Sequence, residues 1–305
     1  MSYHIVNIDS PQCSISCRDG QLTCKTAEGE RRLPLEDVAS IIVTSFSASI
    51  NSQLFLEAAK HGVALIICKA FKPVSLVVPA NRSTDTLLSR AQLSLAPRLR
   101  VNLWQKTVDA KCRNQLALAE YIAPSDDQIE VLRDAALSKK PHKESVCART
   151  FWRIYGRALN DTEFTRDRAR VGLNCLLNYG YAVLLSTVLQ KLFGVGLDPT
   201  FGISHAPRER STPLAYDLME PFRPCVDWRV FQWAKQHADT KRWEVTRDFR
   251  RWVTGFPLER VDYLDFTLEI RGVIEGVLRS FRRAVVEGQA RYYRPWTPRN
   301  SKWAG

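Results

Sequence analysis

The chain has 305 residues, 45% hydrophobic, 10% aromatic and 25% charged, which excludes a disordered, collagen-like or low-complexity protein. Forty-four lysines and arginines against 32 acidic residues leave a formal charge of +12, so a polyanionic partner is the first expectation. Residues 1–95 hold nine basic and eight acidic residues, a net of +1, and the remaining 35 basic and 24 acidic residues put +11 in the rest of the chain. Nucleic acid, if it binds, binds that second part, because attraction to phosphate is screened beyond about 10 Å. A basic surface that only aids solubility is the alternative.

In chain order, short β-branched runs predict strands at 4–8, 14–18, 21–25 and 39–44, with Asp19-Gly20 as a hairpin turn between the second and third. A helix fits 52–61, capped by Asn51, closed by Gly62, with Leu54, Phe55, Ala58 and Ala59 on its apolar face. Strands return at 63–68 and 74–78. Residues 79–86 are polar, carry a proline and lack periodicity, which marks a linker. Helical spacing then runs through 87–95, 101–119, 128–137, 146–159, 171–193, 214–220, 226–238 and 270–286. The expected class is α+β, a small N-terminal β-rich domain (1–78) followed by a larger all-α C-terminal domain (87–305). The tail 291–305 carries four aromatics and no helical face, and reads as a frayed end or as an arm that orders on a partner.

Eight cysteines without a basic, then apolar, leader give no reason to expect secretion or disulfides, so a reduced, cytoplasmic protein is expected. Cys13, Cys17 and Cys24 lack the CxxC pair or neighbouring histidine of a zinc site. Apolar runs such as 63–68 fall short of the roughly 20 residues of a membrane helix, and no membrane association is expected.

One segment is hard to explain as packing alone. His205 lies in a Gly/Ser/Pro-rich loop, and Asp217 and Glu220 follow three apart in a short helix that Pro221 should end. That spacing places both carboxylates on one face, about 5–6 Å apart at Cβ, where they repel unless a cation or an arginine sits between them. Glu144 opens the helical segment Glu144-Ser-Val-Cys-Ala-Arg-Thr-Phe-Trp152, where its charge also suits the helix dipole. Each residue alone has an ordinary reading: a first-turn carboxylate for Glu144, a solvated loop or hydrogen-bonded histidine for His205, and a solvated face or partners of Arg208, Arg210 or Arg223 for the two acids.

The order of the blocks is more specific than any single residue. Glu144-x-x-x-Ala148-Arg149-x-x-Trp152, Asn174-x-x-Leu177-Asn178-Tyr179-Gly180-Tyr181, Gly194-x-Gly196-x-x-Pro199-x-x-Gly202-x-x-His205 and Asp217-x-x-Glu220-Pro221-x-Arg223-x-x-x-Asp227 follow one another in a pattern that closely resembles the CRISPR-associated protein 1 family, the integrases of CRISPR adaptation. Ser145 departs from the glycine usual after the glutamate. The resemblance implies a β-rich dimerisation domain and a helical catalytic domain in which Glu144, His205 and Glu220 hold Mg²⁺ or Mn²⁺, with Asp217 in support. It also implies double-stranded DNA partners (prespacer and CRISPR repeat), a homodimer, and a dimer of CRISPR-associated protein 2 in the integration complex. The implied reaction is joining of short DNA into the repeat by 3′-hydroxyl transesterification, with DNA endonuclease activity. Cys147 is then a small buried residue rather than a nucleophile. Arg149, Arg168, Arg170, Arg208, Arg210, Arg223 and a basic helix over 241–251, beginning with Lys241 and Arg242, are candidate phosphate contacts. Tyr179 could hydrogen-bond near the site, and Tyr181 suits core packing. A non-catalytic DNA-binding scaffold of the same fold and a plain metal-dependent nuclease are the alternatives.

Overall fold

A computed structural model describes residues 4–69, 72–77, 86–140, 143–167, 172–205, 212–237, 243–301 and 303. The chain divides into two compact units, Met1–Ser94 with Ser186–Pro199, and Leu95–Leu185 with Thr200–Gly305. The expected linker over 79–86 lies outside the described residues apart from Thr86, which opens a helix.

The first unit contains β1 (His4–Ile8), β2 (Ser14–Arg18), β3 (Gln21–Thr26), β4 (Gly29–Pro34), β5 (Val38–Val43), β6 (Ser49–Ile50), α1 (Gln53–Lys60), β7 (Ala64–Lys69), β8 (Lys72–Val77) and α2 (Thr86–Leu93). Two four-stranded sheets form, ordered β1-β5-β7-β8 and β4-β3-β2-β6. In the first, β1, β5 and β7 run parallel and β8 antiparallel. Leu54 and Ala58 of α1 pack into a core with Ile8, Ile15, Leu22, Leu35, Ile41 and Leu65. The opposite faces of β5 and β7 present Ile42, Ile66 and Cys68 to Phe193, which explains why Ser186–Pro199 joins this unit. Gln92 ties that segment down, donating to the Asp198 carbonyl and accepting the Asp198 N–H, both at 3.1 Å.

The turn chemistry follows the sequence. Asp19 and Gly20 both have positive φ, 52° and 73°, as a two-residue hairpin with right-handed strand twist requires. Asn51 Oδ1 accepts the Gln53 N–H at 2.8 Å at the start of α1, and Gly62 closes its end at φ +69°. Strand β4 shows no apolar alternation. It is an edge strand held by backbone pairing to β3, with Glu30 bridging Lys25 at 3.0 Å and Arg32 at 2.5 Å.

The second unit contains α3 (Pro97–Ile122), α4 (Ile129–Leu137), α5 (Lys143–Ala158), most of α6 (Gly172–Gly194), α7 (Pro213–Met219), α8 (Arg223–Gln236), α9 (Arg247–Thr254), the antiparallel pair β9 (Arg260–Tyr263) and β10 (Phe266–Glu269), and α10 (Ile270–Val286). The chain is thus strand-rich and then mostly helical, with one short hairpin inside the helical part. Helix α6 falls almost where helical spacing placed it, over 171–193, and it contains an 18-residue stretch that by length and composition is apolar enough to cross a bilayer. Sixty-one per cent of that stretch is buried inside the protein, as in a core helix.

Three expectations need correction. Pro221 does not end the helical path: α7 passes through a 3₁₀ turn at Glu220–Phe222 into α8, with Pro221 and Pro224 in first turns where their missing N–H costs nothing. The basic helix expected over 241–251 begins at Arg247, because the Thr246 hydroxyl accepts the Phe249 N–H at 3.1 Å and caps it there. Residues 291–296 are not a loose tail, since Tyr293 and Trp296 are buried and Trp296 stacks on Phe222 with 5.8 Å between ring centroids.

Candidate active site

Helix α3 forms the floor of the site. Trp104, Thr107, Lys111 and Asn114 lie at i, i+3, i+7 and i+10, one stripe of the helix that meets the His205 loop, the C-terminal segment, α5 and the Glu220–Phe222 turn. Lys111 Nζ stands 2.8 Å from Glu144 Oε1 and 2.6 Å from Glu220 Oε2. Glu144 arrives from the first turn of α5, which is anchored where Lys143 donates to the Ser138 carbonyl at 3.0 Å and pairs with Asp109. Glu220 arrives from the 3₁₀ turn, whose Pro221 carbonyl accepts from Asn114 at 2.7 Å.

The two glutamates differ in environment. Glu220's side chain is only 6% exposed, Lys111's 13% and Glu144's 35%, so the pair opens to solvent on the Glu144 side. Arg223 Nε donates to Glu220 Oε1 at 2.8 Å, giving this carboxylate a second cation. Burial by itself raises the pKa of Glu220, but Arg223 and Lys111 outweigh it and hold the carboxyl below its ordinary value. Burial likewise works against the charge of Lys111, and Glu220 and Glu144 together keep its ammonium above the ordinary lysine value.

His205 and Asp217 make a second pair. Asp217, fully buried, accepts the backbone N–H groups of Ile203 (2.7 Å), Ser204 (3.1 Å) and His205 (3.1 Å), and its Oδ1 lies 2.6 Å from His205 Nδ1. Four contacts therefore fold the 203–205 loop around one carboxylate. With Nδ1 turned to Asp217, Nε2 is the ring nitrogen left for other chemistry. The imidazole is half exposed, with Trp104 edge-on at 6.1 Å and Tyr216 at 6.2 Å. Gly202 makes this closeness possible: a Cβ there would stand 2.7 Å from the His205 carbonyl oxygen and 3.0 Å from Asp217 Oδ2.

Behind Glu220 lies a further buried acid. Tyr181 donates to Asp227 Oδ1 at 2.5 Å, Tyr155 donates to the Asp227 carbonyl at 2.8 Å, and burial pushes the Asp227 carboxyl up to about 7. Arg223 lies 4.6 Å above the Tyr181 ring and Arg166 5.2 Å, so one guanidinium links this aromatic layer to Glu220.

Glu144 and Glu220, 76 residues apart in sequence, thus meet at one ammonium, and His205 and Asp217 meet each other. Asp217 and Glu220 avoid mutual repulsion by taking different partners. Among the described residues no three His, Cys, Asp or Glu side chains gather as a ligand group. Arg223 is bound to Glu220, and Arg149 is exposed on α5. Tyr179 packs on Phe249 of α9 at 6.2 Å, whereas Tyr181 reaches Asp227 and Arg223. Cys147 is fully buried beside Cys112. Arg168, Arg170, Arg208, Arg210, Lys241 and Arg242 lie outside the described residues. Lys111 is not among the residues that motif spacing selects. Its signal is a lysine in the stripe Leu103, Thr107, Lys111, Asn114, Leu118, the buried face of a long helix.

The family profile described as CRISPR associated protein Cas1 matches residues 6–252, most of the chain. The chain belongs to the Cas1 family. It is 30% identical over 228 residues to the CRISPR-associated endonuclease Cas1 of Neisseria meningitidis serogroup C (strain 8013), covering 73% of each protein. Its fold resembles that of a Cas1-containing assembly, a partial Cas6-RT-Cas1–Cas2 complex, with TM-score 0.76 at 16% identity over 97% of this chain and 99% of that one. It also resembles a casposase bound to integration product, with TM-score 0.71 at 19% identity over 97% and 99%. The ordered Cas1 blocks fall on the elements that bring Glu144 to Glu220 and His205 to Asp217.

Proposed function

We propose that this Cas1 protein is the integrase of CRISPR adaptation. It joins short DNA into a CRISPR repeat through attack of a DNA 3′-hydroxyl on a repeat phosphodiester, with DNA endonuclease activity at the same site. The observation that carries this reading is the convergence of Glu144 and Glu220 on one cation, inside the part of the chain that holds a net of +11.

The residues fit a divalent metal. A carboxylate pair already arranged around a positive charge, with an imidazole oriented by a carboxylate through its other nitrogen, is a mostly hard donor set suited to Mg²⁺ or Mn²⁺. Glu144 and Glu220 would hold it, and His205, which stands apart from the pair with Asp217, would add Nε2 on the strength of the family resemblance. When bound, such an ion polarises the scissile phosphodiester and lowers the cost of the negative charge that develops on it. Asp217 fixes the His205 loop and Arg223 keeps Glu220 ionised. In the joining step one P–O bond forms to the incoming 3′-oxygen, one breaks to the repeat strand, and the proton of the attacking hydroxyl passes to solvent while the departing 3′-oxygen takes one up. Phosphodiester bonds are conserved in number, so no side-chain nucleophile and no nucleotide cofactor are needed.

The casposase captured on an integration product and the Cas1–Cas2 complex share this fold, which supports duplex DNA and a dimer of the Cas2 protein as partners. The same reading makes the strand-rich region (1–78) the dimerisation domain, residues 87–305 the catalytic and DNA-binding domain, and the cytoplasm the place of action.

The test is incubation of the purified protein with its Cas2 partner, a short duplex and a supercoiled plasmid bearing the repeat. Joined product is expected with Mg²⁺ or Mn²⁺, and Glu144→Ala, His205→Ala and Glu220→Ala should each abolish it. Strand transfer that survives these changes refutes the site. Cleavage without joining indicates a plain nuclease, and binding without either a scaffold.

A further inference from the structure

The oxygens that a metal would need are those on which Lys111 sits. Glu220 Oε1 is taken by Arg223 Nε, so Oε2 is the Glu220 oxygen that faces Glu144, and the Lys111 ammonium lies against it and against Glu144 Oε1. An ammonium and a dication cannot share that place. The four groups Glu144, Glu220, Lys111 and Arg223 are already neutral together, and a dication added to them would leave two uncompensated positive charges where Glu220 and Lys111 are largely withdrawn from water.

If Lys111 instead swings away through the solvent-open Glu144 side, the two glutamates, Arg223 and the dication carry a net of +1, which one DNA phosphate cancels. The backbone of Lys111 is not free to move with it. Thr107 bonds the Tyr293 hydroxyl at 3.1 Å and Asn114 bonds the Pro221 and Trp296 carbonyls, one turn to either side, so only the side chain can leave. Its long flexible stem suits that motion, and its compact ammonium suits a phosphate as well as a carboxylate.

We infer that Lys111 is a resident counter-ion that holds Glu144 and Glu220 together in the metal-free protein and must be displaced for a divalent ion to enter, so that it sets the metal affinity of the site and couples metal binding to the arrival of DNA phosphate. Lys111 is in this sense a positioning residue for the two carboxylates. The inference rests on the metal site proposed above.

The experiment is titration of the full-length protein with Mn²⁺, followed by the electron paramagnetic resonance signal of the free ion, with and without a short DNA duplex. Lys111→Met should bind Mn²⁺ about tenfold tighter or more than wild type without DNA, because one opposing charge is removed from the site. DNA should tighten Mn²⁺ binding in wild type and much less in Lys111→Met. Lys111→Arg, which keeps the charge, should bind Mn²⁺ no tighter than wild type. Should Lys111→Met prove unstable, thermal unfolding supplies the readout: its midpoint should drop without metal and recover with saturating Mn²⁺. Unchanged or weaker Mn²⁺ binding by Lys111→Met, or an equal loss of midpoint with and without Mn²⁺, overturns the inference. Mn²⁺ binding that is as tight in Glu144→Gln and Glu220→Gln as in wild type overturns the metal site itself, a separate outcome.

Discussion

Asn114 donates from one side-chain nitrogen to the carbonyl of Trp296 at 3.0 Å and to that of Pro221 at 2.7 Å. A buried amide on α3 thus ties the C-terminal segment to the turn that carries Glu220, and Trp296 stacks on Phe222 of the same turn with the ring planes 7° apart. Lys106 adds bonds to the Ala290 and Tyr293 carbonyls, at 2.9 and 2.7 Å. The C-terminal segment is therefore a buttress for the active-site turn.

Removing the buttress should cost stability. Asn114→Ala leaves two carbonyls without this donor and is expected to lose about 1–3 kcal/mol. Trp296→Ala empties a fully packed aromatic position and should lose about 3–5 kcal/mol. Denaturant unfolding checks both, and because the two share one turn, the double variant should lose less than the sum.

Gly202→Ala tests the close packing around His205. The new Cβ would press on the His205 carbonyl oxygen and on Pro213 Cβ at 2.8 Å, neither of which is the end of a flexible side chain. The loop must shift, and strand transfer should fall about a hundredfold, the scale expected for misplacement of a reacting group by about an ångström. Circular dichroism should show the fold retained.

Asp217→Asn separates charge from shape. The amide keeps one acceptor oxygen but turns an NH₂ toward backbone N–H groups that now share a carboxylate. A loss of about 1–3 kcal/mol in unfolding free energy is expected from the orphaned donors, together with loss of activity. His205→Ala should abolish activity with a smaller change in stability, since the half-exposed imidazole contributes only one of the four contacts to Asp217.

Asp227 predicts a pH dependence. Burial, opposed by the Tyr181 hydroxyl and by Arg166, Arg223 and Lys111, holds its carboxyl at about 7 in the folded protein against an ordinary value of 3.8. Between those values the folded state keeps a proton that the unfolded state has released, so the contribution of this group to stability falls as pH rises from about 4 to about 7 and levels off above. Asp227→Asn removes the titration. Its stability relative to wild type should therefore climb across that window and flatten above it, measured by urea midpoints at each pH. A constant difference from pH 4 to 8 refutes the assignment.

The sequence by itself determined the elements and the candidate acids. The spacing of apolar residues marked the long helices, and Asp19-Gly20 and Asn51 marked a turn and a cap, because periodicity and turn chemistry are local properties of the chain; Glu144, His205, Asp217 and Glu220 each kept an ordinary reading until the ordered blocks were compared with the family they resemble. Elements without such local signals were not legible: β4 relies on pairing and charge, the β9–β10 hairpin is four residues a side, and the start of α9 depends on one threonine cap. Only the tertiary structure decided which acid meets which cation. It brought Lys111 between Glu144 and Glu220, gave Asp217 to the His205 loop, and folded Trp296 behind Phe222. Those pairings join residues 12 to 109 positions apart, and the choice among possible counter-ions is made by burial, which no stretch of sequence specifies alone.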